Sequence, residues 1–207
     1  MIHVLVDTNV LAQWYIIKST VEGAEFFEKN IKEAYGRRAQ SYEFVEYIIR
    51  KRPNKAKFYV NSVILSELMN VLVEDFVYNS MWMDGISPVY FQRYYNKYLP
   101  SERDLEDIIS EVLEATSIIE AVFEKLGCEI EGPADYYNVT YFLGRGGVKT
   151  QDAHLLAIAL KSGIDFFVTM DSGILNLTKR KDVREFLEAR RLNIVKPKTM
   201  YNILRKL

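Results

Sequence analysis

Residues Ile2 to Val6 form a short apolar run that shows no polar alternation and stops at Asp7. A strand with one wet face alternates apolar and polar positions, so a run without alternation suits a strand buried on both faces of a parallel sheet. Parallel strands need long crossovers, and the chain that follows supplies them. Helical patterning is predicted over 10–17, 22–35 and 39–49, and the basic stretch Arg50-Lys51-Arg52-Pro53 closes that region with a breaker. Residues 58–60 read as a second strand. Asn61 or Ser62 can cap the next helix, where Ile64, Leu68, Val71, Leu72 and Phe76 recur at helical spacing.

Ser101 and Asp104 have the spacing of a capping box. From Leu105 through Ile108, Ile109, Val112, Ile119, Val122 and Phe123 to Leu126, the pattern traces one long amphipathic helix, with Gly127 as its stop. Strand and helix then alternate: a strand at 128–130, a helix over 134–143, and the loop Gly144-Arg145-Gly146-Gly147. Thr150 is placed to cap a helix over 151–161, followed by a strand at 166–169. Asp182 is placed to cap a helix reaching Arg190, and a last strand at 194–195 precedes Pro197. Such alternation predicts an α/β fold with a parallel sheet. At 207 residues, without repeat or low-complexity linker, one elaborated domain is expected.

Composition narrows the function classes. With 49% apolar and 27% charged residues the chain is globular rather than fibrous or disordered. The 27 Lys and Arg offset 28 Asp and Glu, so nucleic acid would have to be held by local patches rather than bulk charge. A single cysteine, Cys128, excludes an intramolecular disulfide framework, and with only His3 and His154 a histidine-rich metal centre is not expected. Cys128 itself reads as a core thiol. No apolar run reaches membrane-spanning length and the opening residues do not resemble a signal peptide, so a soluble, cytoplasmic protein is expected.

In open parallel sheets, chemistry collects beyond the carboxyl ends of the strands. Asp7 follows the first strand and Asp171 the fourth. Glu67 lies early in the helix after the second strand, and Asp152 opens the helix after the glycine loop. Asp152 heads the helical stripe of Leu155, Leu156, Ala159 and Leu160, and Glu67 lies between Ile64 and Val71. Carboxylates on core-facing stripes are costly unless paired or bound to a cation. Each acid alone has a structural reading, as a helix cap or one half of an ion pair. Four at one sheet edge point instead to an acidic pocket, and oxygen ligands without imidazole or thiolate point to Mg²⁺ or Mn²⁺. Asp165 is the contrast: it precedes the strand that Asp171 follows, roughly 20 Å away, and so belongs to the opposite edge.

Taken together, Val6-Asp7-Thr8-Asn9-Val10-Leu11, Ser66-Glu67-Leu68, Thr150-Gln151-Asp152-Ala153-His154-Leu155-Leu156-Ala157-Ile158-Ala159 and Val168-Thr169-Met170-Asp171 closely resemble the PIN-domain family. That family consists largely of metal-dependent ribonucleases, among them VapC-type toxins and RNA-processing nucleases. The resemblance covers 1–207 as a single PIN-like domain, a three-layer α/β sandwich whose parallel sheet would run in the order 3-2-1-4-5. It implies that Asp7, Glu67, Asp152 and Asp171 hold one or two Mg²⁺ or Mn²⁺ ions, with Asn9 and Thr169 as polar supports. It also implies RNA as substrate, a homodimer, and an antitoxin protein as partner if the chain is a toxin. The acids stand farther apart in sequence than in compact members, with 78–126 as an extra helical insert.

Phosphate contacts are sought in Arg145 and Lys149, which flank the loop before Asp152, although both equally suit solvated loop charges. In the insert, the stretch from Tyr90 to Tyr98 interleaves aromatics with Arg93 and Lys97. As one helix it would line Tyr90, Tyr94 and Tyr98 along a face, either to stack single-stranded RNA beside Arg93 and Lys97 or to pack the insert down. The glycines at 144, 146 and 147 match no nucleotide-binding fingerprint. The expected activity is therefore metal-dependent hydrolysis of RNA. The rivals are a DNA or flap nuclease of similar fold and a non-catalytic module that binds RNA or protein. An aspartyl-nucleophile phosphatase is disfavoured because Asn9 stands where a second Asp is wanted.

Overall fold

Five parallel strands form one sheet in the order β3-β2-β1-β4-β5, flanked by helices, in the computed structural model, which describes residues 1–22 and 36–207. The strands are β1 (Ile2–Val6), β2 (Ala56–Asn61), β3 (Glu124–Leu126), β4 (Phe166–Val168) and β5 (Asn193–Val195). Val4, Leu5 and Val6 of β1 are fully buried, as expected for the central strand of a parallel sheet covered on both faces.

On one side, α1 (Thr8–Glu22) packs on α2 (Ala39–Lys51) and α3 (Ser62–Met83), and α2 packs on the closing α10 (Pro197–Leu204). Trp14 anchors that layer: it is fully buried, and its indole N–H donates to Glu46 Oε1 at 2.9 Å. After β3 the order jumps across the sheet to β4, a parallel connection of the kind that is right-handed as a rule. Within it α6 (Gly132–Tyr141) packs on α7 (Thr150–Lys161). The helices α8 (Ser172–Leu177) and α9 (Lys181–Ala189) join β4 to β5. The strand order therefore reverses between β1 and β4, and it is outside the carboxyl ends of such neighbours that parallel sheets leave a crevice.

Several expectations shift. The helix expected over 22–35 lies, beyond Glu22, outside the described residues. The long helix is shorter than its periodicity suggested: α5 (Glu102–Glu120) ends at Ala121, and the chain turns into β3. Phe123 keeps the helical phase of the pattern but packs edge-on against Phe58 of β2, with centroids 6.1 Å apart. The strand expected at 128–130 is thus displaced to Glu124–Leu126, an edge strand whose charges hide it; Glu124 pairs with Lys57 of β2 at 2.8 Å. The segment 78–126 is helical for most of its length but ends in the sheet.

Its aromatic stretch is not one helix either. It breaks into a 3₁₀ turn at Pro88–Tyr90, the single turn α4 (Phe91–Tyr94) and a second 3₁₀ turn at Tyr95–Lys97. Phe91 stacks on Tyr78 of α3 at 5.3 Å and Tyr95 meets the same ring edge-on at 6.0 Å. Ser101 and Asp104 do form the capping box. Thr150 and Asp182 do not act as caps, because Lys149 and Arg180 hold those positions without a side-chain bond. Cys128 is half-buried, 3.1 Å from Ser62 Oγ, rather than in the core. Among the described residues no helix is long and apolar enough to cross a membrane.

Candidate metal centre

Asp7 stands one residue beyond β1 and is 4% exposed. Its backbone N–H donates to Val168 at 3.0 Å, so it is fixed against β4. Its Oδ1 accepts from the Thr8 N–H at 2.8 Å, and Oδ2 accepts from Thr169 Oγ1 and from Asn9 Nδ2, each at 2.5 Å. The bond to Thr8 engages the first helical residue, not the second or third that an N-cap side chain serves. Asp7 is therefore buried for something other than capping.

Asn9 clamps the edge. Its Nδ2 also donates to Thr169 Oγ1 at 3.1 Å, while its Oδ1 accepts from the Met170 N–H at 2.8 Å. Thr169 Oγ1 in turn accepts from the Asp171 N–H at 2.9 Å. Thr8 Oγ1 donates to Glu67 Oε2 at 2.6 Å, which ties α3 to the end of β1. Asp171 caps α8 through Oδ1, which accepts from the Ile174 N–H at 2.9 Å. Its cap role is real, and it leaves Oδ2 available.

The charges act on one another. Burial pushes the Asp7 carboxyl up from 3.8 to about 7; hydrogen bonds from Thr169 and Thr8 oppose this, and Glu67 and Asp152 raise it further. Asp152 is raised as well, first by burial and then by Asp171 and Glu67, with Lys149 pulling it back. Asp7, Glu67, Asp152 and Asp171, from four separate stretches of chain, thus share one electrostatic neighbourhood. Asn9 and Thr169 lie among them.

The substrate-binding candidates are placed less uniformly. Lys149 lies beside Asp152. Arg145 lines a groove with Tyr137 and Tyr141. Arg93 and Lys97 lie over the ring of Tyr94, at 6.0 and 5.3 Å, in a segment packed on α3. That arrangement occupies the ring and favours packing over RNA stacking.

Two residues escaped the sequence reading. Thr8 was part of a motif without a role, yet it orients Glu67. Asn61, visible only as a cap, does accept from the Ile64 N–H at 2.9 Å, but its Nδ2 is buried without a hydrogen-bond partner. The β1–β2 register sets it level with Asp7.

Among the described residues no three His, Cys, Asp or Glu side chains close around a point as a ready metal cage. The donor set nevertheless fits a hard divalent cation held openly. It offers carboxylate oxygens alone, and Mg²⁺ typically keeps several waters while taking one or two carboxylates plus substrate phosphate. No protein-family model matches the chain, and no curated protein matches it in sequence.

Proposed function

We propose that this chain is a Mg²⁺- or Mn²⁺-dependent endoribonuclease of the PIN-domain type, with Asp7, Glu67, Asp152 and Asp171 as its metal-binding and catalytic carboxylates. The observation that carries the reading is that Asp7 and Asp152 are both raised at the switch point of a parallel sheet, Asp7 by burial and then in part by Glu67 and Asp152, and Asp152 by burial and then by Asp171 and Glu67. Carboxylates that repel one another around a buried member are best satisfied by a cation. When bound, the ion supplies a Lewis acid for the scissile phosphate and an activated water. The chain's own contribution is to hold the carboxylates in place. Asn9, Thr169 and Thr8 fix Asp7 and Glu67, and Lys149 moderates the charge at Asp152. Incubation with mixed cellular RNA, in Mn²⁺ or in EDTA, followed by mapping of the cut ends, tests this. Cleavage in Mn²⁺ and not in EDTA is expected, and intact RNA in Mn²⁺ would overturn it.

Asp165 provides the internal control. Its Oδ2 accepts from the His3 N–H at 2.8 Å, at the amino ends of β1 and β4. Asp165→Asn keeps an oxygen acceptor there and should leave cleavage close to the parent rate. Loss of activity in that variant would mean that the acidic edge is not the reacting one.

We also assign self-association to the outer face of α5. Leu105, Ile109 and Leu113 recur at four-residue intervals and are 40%, 55% and 62% exposed. Light scattering is expected to show a dimer that Ile109→Glu combined with Leu113→Glu converts to monomer. A monomeric parent at micromolar concentration would count against this surface.

A further inference from the structure

A groove of about 520 Å³ runs along the end of α6 and the π-helical turn Phe142–Gly146, lined by Tyr137, Thr140, Tyr141, Gly144 and Arg145. That size lies within the range of ordinary ligand sites, about 300–1,000 Å³. Tyr137 is 58% exposed. Tyr141 is held rigid, its ring stacked on Phe186 with centroids 3.8 Å apart, and Phe186 is backed by the Arg190 guanidinium at 3.6 Å. Phe142, fully buried, meets Phe186 edge-on and roots this column in the core.

The charge around the groove is positive. Burial, Asp182 and Tyr137 raise the Tyr141 hydroxyl, whereas Arg145 and Arg180 pull it down, so both guanidinium groups lie near the ring. Arg180 pairs with Asp182 and donates to the Gly146 carbonyl at 3.2 Å. Arg145 has no carboxylate partner among the described residues. Rigid aromatic rings beside an unpaired arginine suit an unstacked base with its phosphate. The lining has no aliphatic side chain, which gives an apolar peptide anchor little to grip.

We propose that this groove is a nucleobase subsite for single-stranded RNA, in which Tyr137 and Tyr141 stack a base and Arg145 takes the adjoining phosphate. In naming RNA the inference rests on the ribonuclease reading. Seven peptide links join Arg145 to Asp152, so their Cα atoms lie at most about 25 Å apart. A short stretch of strand spans this distance, and the gripped base would set where the strand is cut.

The test is fluorescence anisotropy of a short labelled single-stranded RNA in EDTA, where nothing is cleaved, with a duplex of the same sequence as comparison. Tyr137→Ala is expected to weaken single-strand binding about tenfold, the effect of one stacked base, and Tyr137→Phe to retain it. Gly144→Leu fills the groove, and because a Cβ there meets nothing within 4 Å the variant should fold. It should weaken binding to a similar extent, with duplex binding unchanged by either variant. Parent-like affinity in both variants overturns the subsite while metal-dependent cleavage stands. Weakened affinity in a protein that cuts no RNA supports the subsite and overturns the nuclease.

Discussion

Asp152→Asn is expected to abolish metal-dependent cleavage while leaving the metal-free protein as stable as the parent or more so. Loss of an outer-shell partner already costs a metal site about 10–100-fold, and loss of a carboxylate that faces the ion should exceed that. Stability moves the other way because Asp152 is raised by burial, then by Asp171 and Glu67, and an amide removes that repulsion. An asparagine at this third helical position can still accept the hydrogen bond that the Lys149 backbone gives the carboxylate. Asp7→Asn should be equally inactive but less forgiving. Asp7 Oδ2 accepts from Asn9 and Thr169, and Oδ1 accepts from the Thr8 N–H, so whichever way an amide at residue 7 is turned its NH2 faces a donor. Cleavage assays in Mn²⁺ and thermal melts in EDTA check both variants. A marked drop in the melting temperature of Asp152→Asn would assign that acid a structural role instead.

The sheet was legible because its central strands obey simple chemistry. Ile2–Val6, apolar apart from His3, and the apolar Phe166–Val168 both stop near an acid, and nothing competes with the strand reading. The acids were legible by position, each just past a strand or in the first turns of a helix. What stayed hidden has physical causes. Glu124 and Lys125 make β3 look like solvent-facing helix, since edge strands are protected by such charges. Phe123 reinforced the error because its apolar character suits either a helix face or a contact across to Phe58. The break-up of 88–97 into short turns depends on how Phe91 and Tyr95 meet Tyr78, a tertiary contact that periodicity does not encode. The hydroxyl of Thr8 belongs to the same class. Its partner, Glu67, lies 59 positions away, and only the fold brings them within 2.6 Å.

The buried Asp7 also predicts how the metal-free protein responds to pH. Below 3.8 its carboxyl is protonated in both folded and unfolded chains. Between 3.8 and about 7 the unfolded chain releases the proton while the folded protein keeps it. Folding takes up a proton across that window, so stability falls as the pH rises through it. At 1.36 kcal/mol per pH unit the interval from 3.8 to about 7 amounts to about 4 kcal/mol by pH 8. Asp7→Asn removes this titration. Its amide mismatch is the same at every pH, so the variant's unfolding free energy should change less between about pH 4 and about pH 8. Urea unfolding of parent and variant in EDTA measures the difference in slope. Mg²⁺ should return stability to the parent at the upper pH and little at the lower, because the ion and the proton compete for the same oxygens. Equal slopes in parent and variant would show that Asp7 is already ionised in the folded protein, and its burial would then need a positive partner in place of a proton or a metal ion.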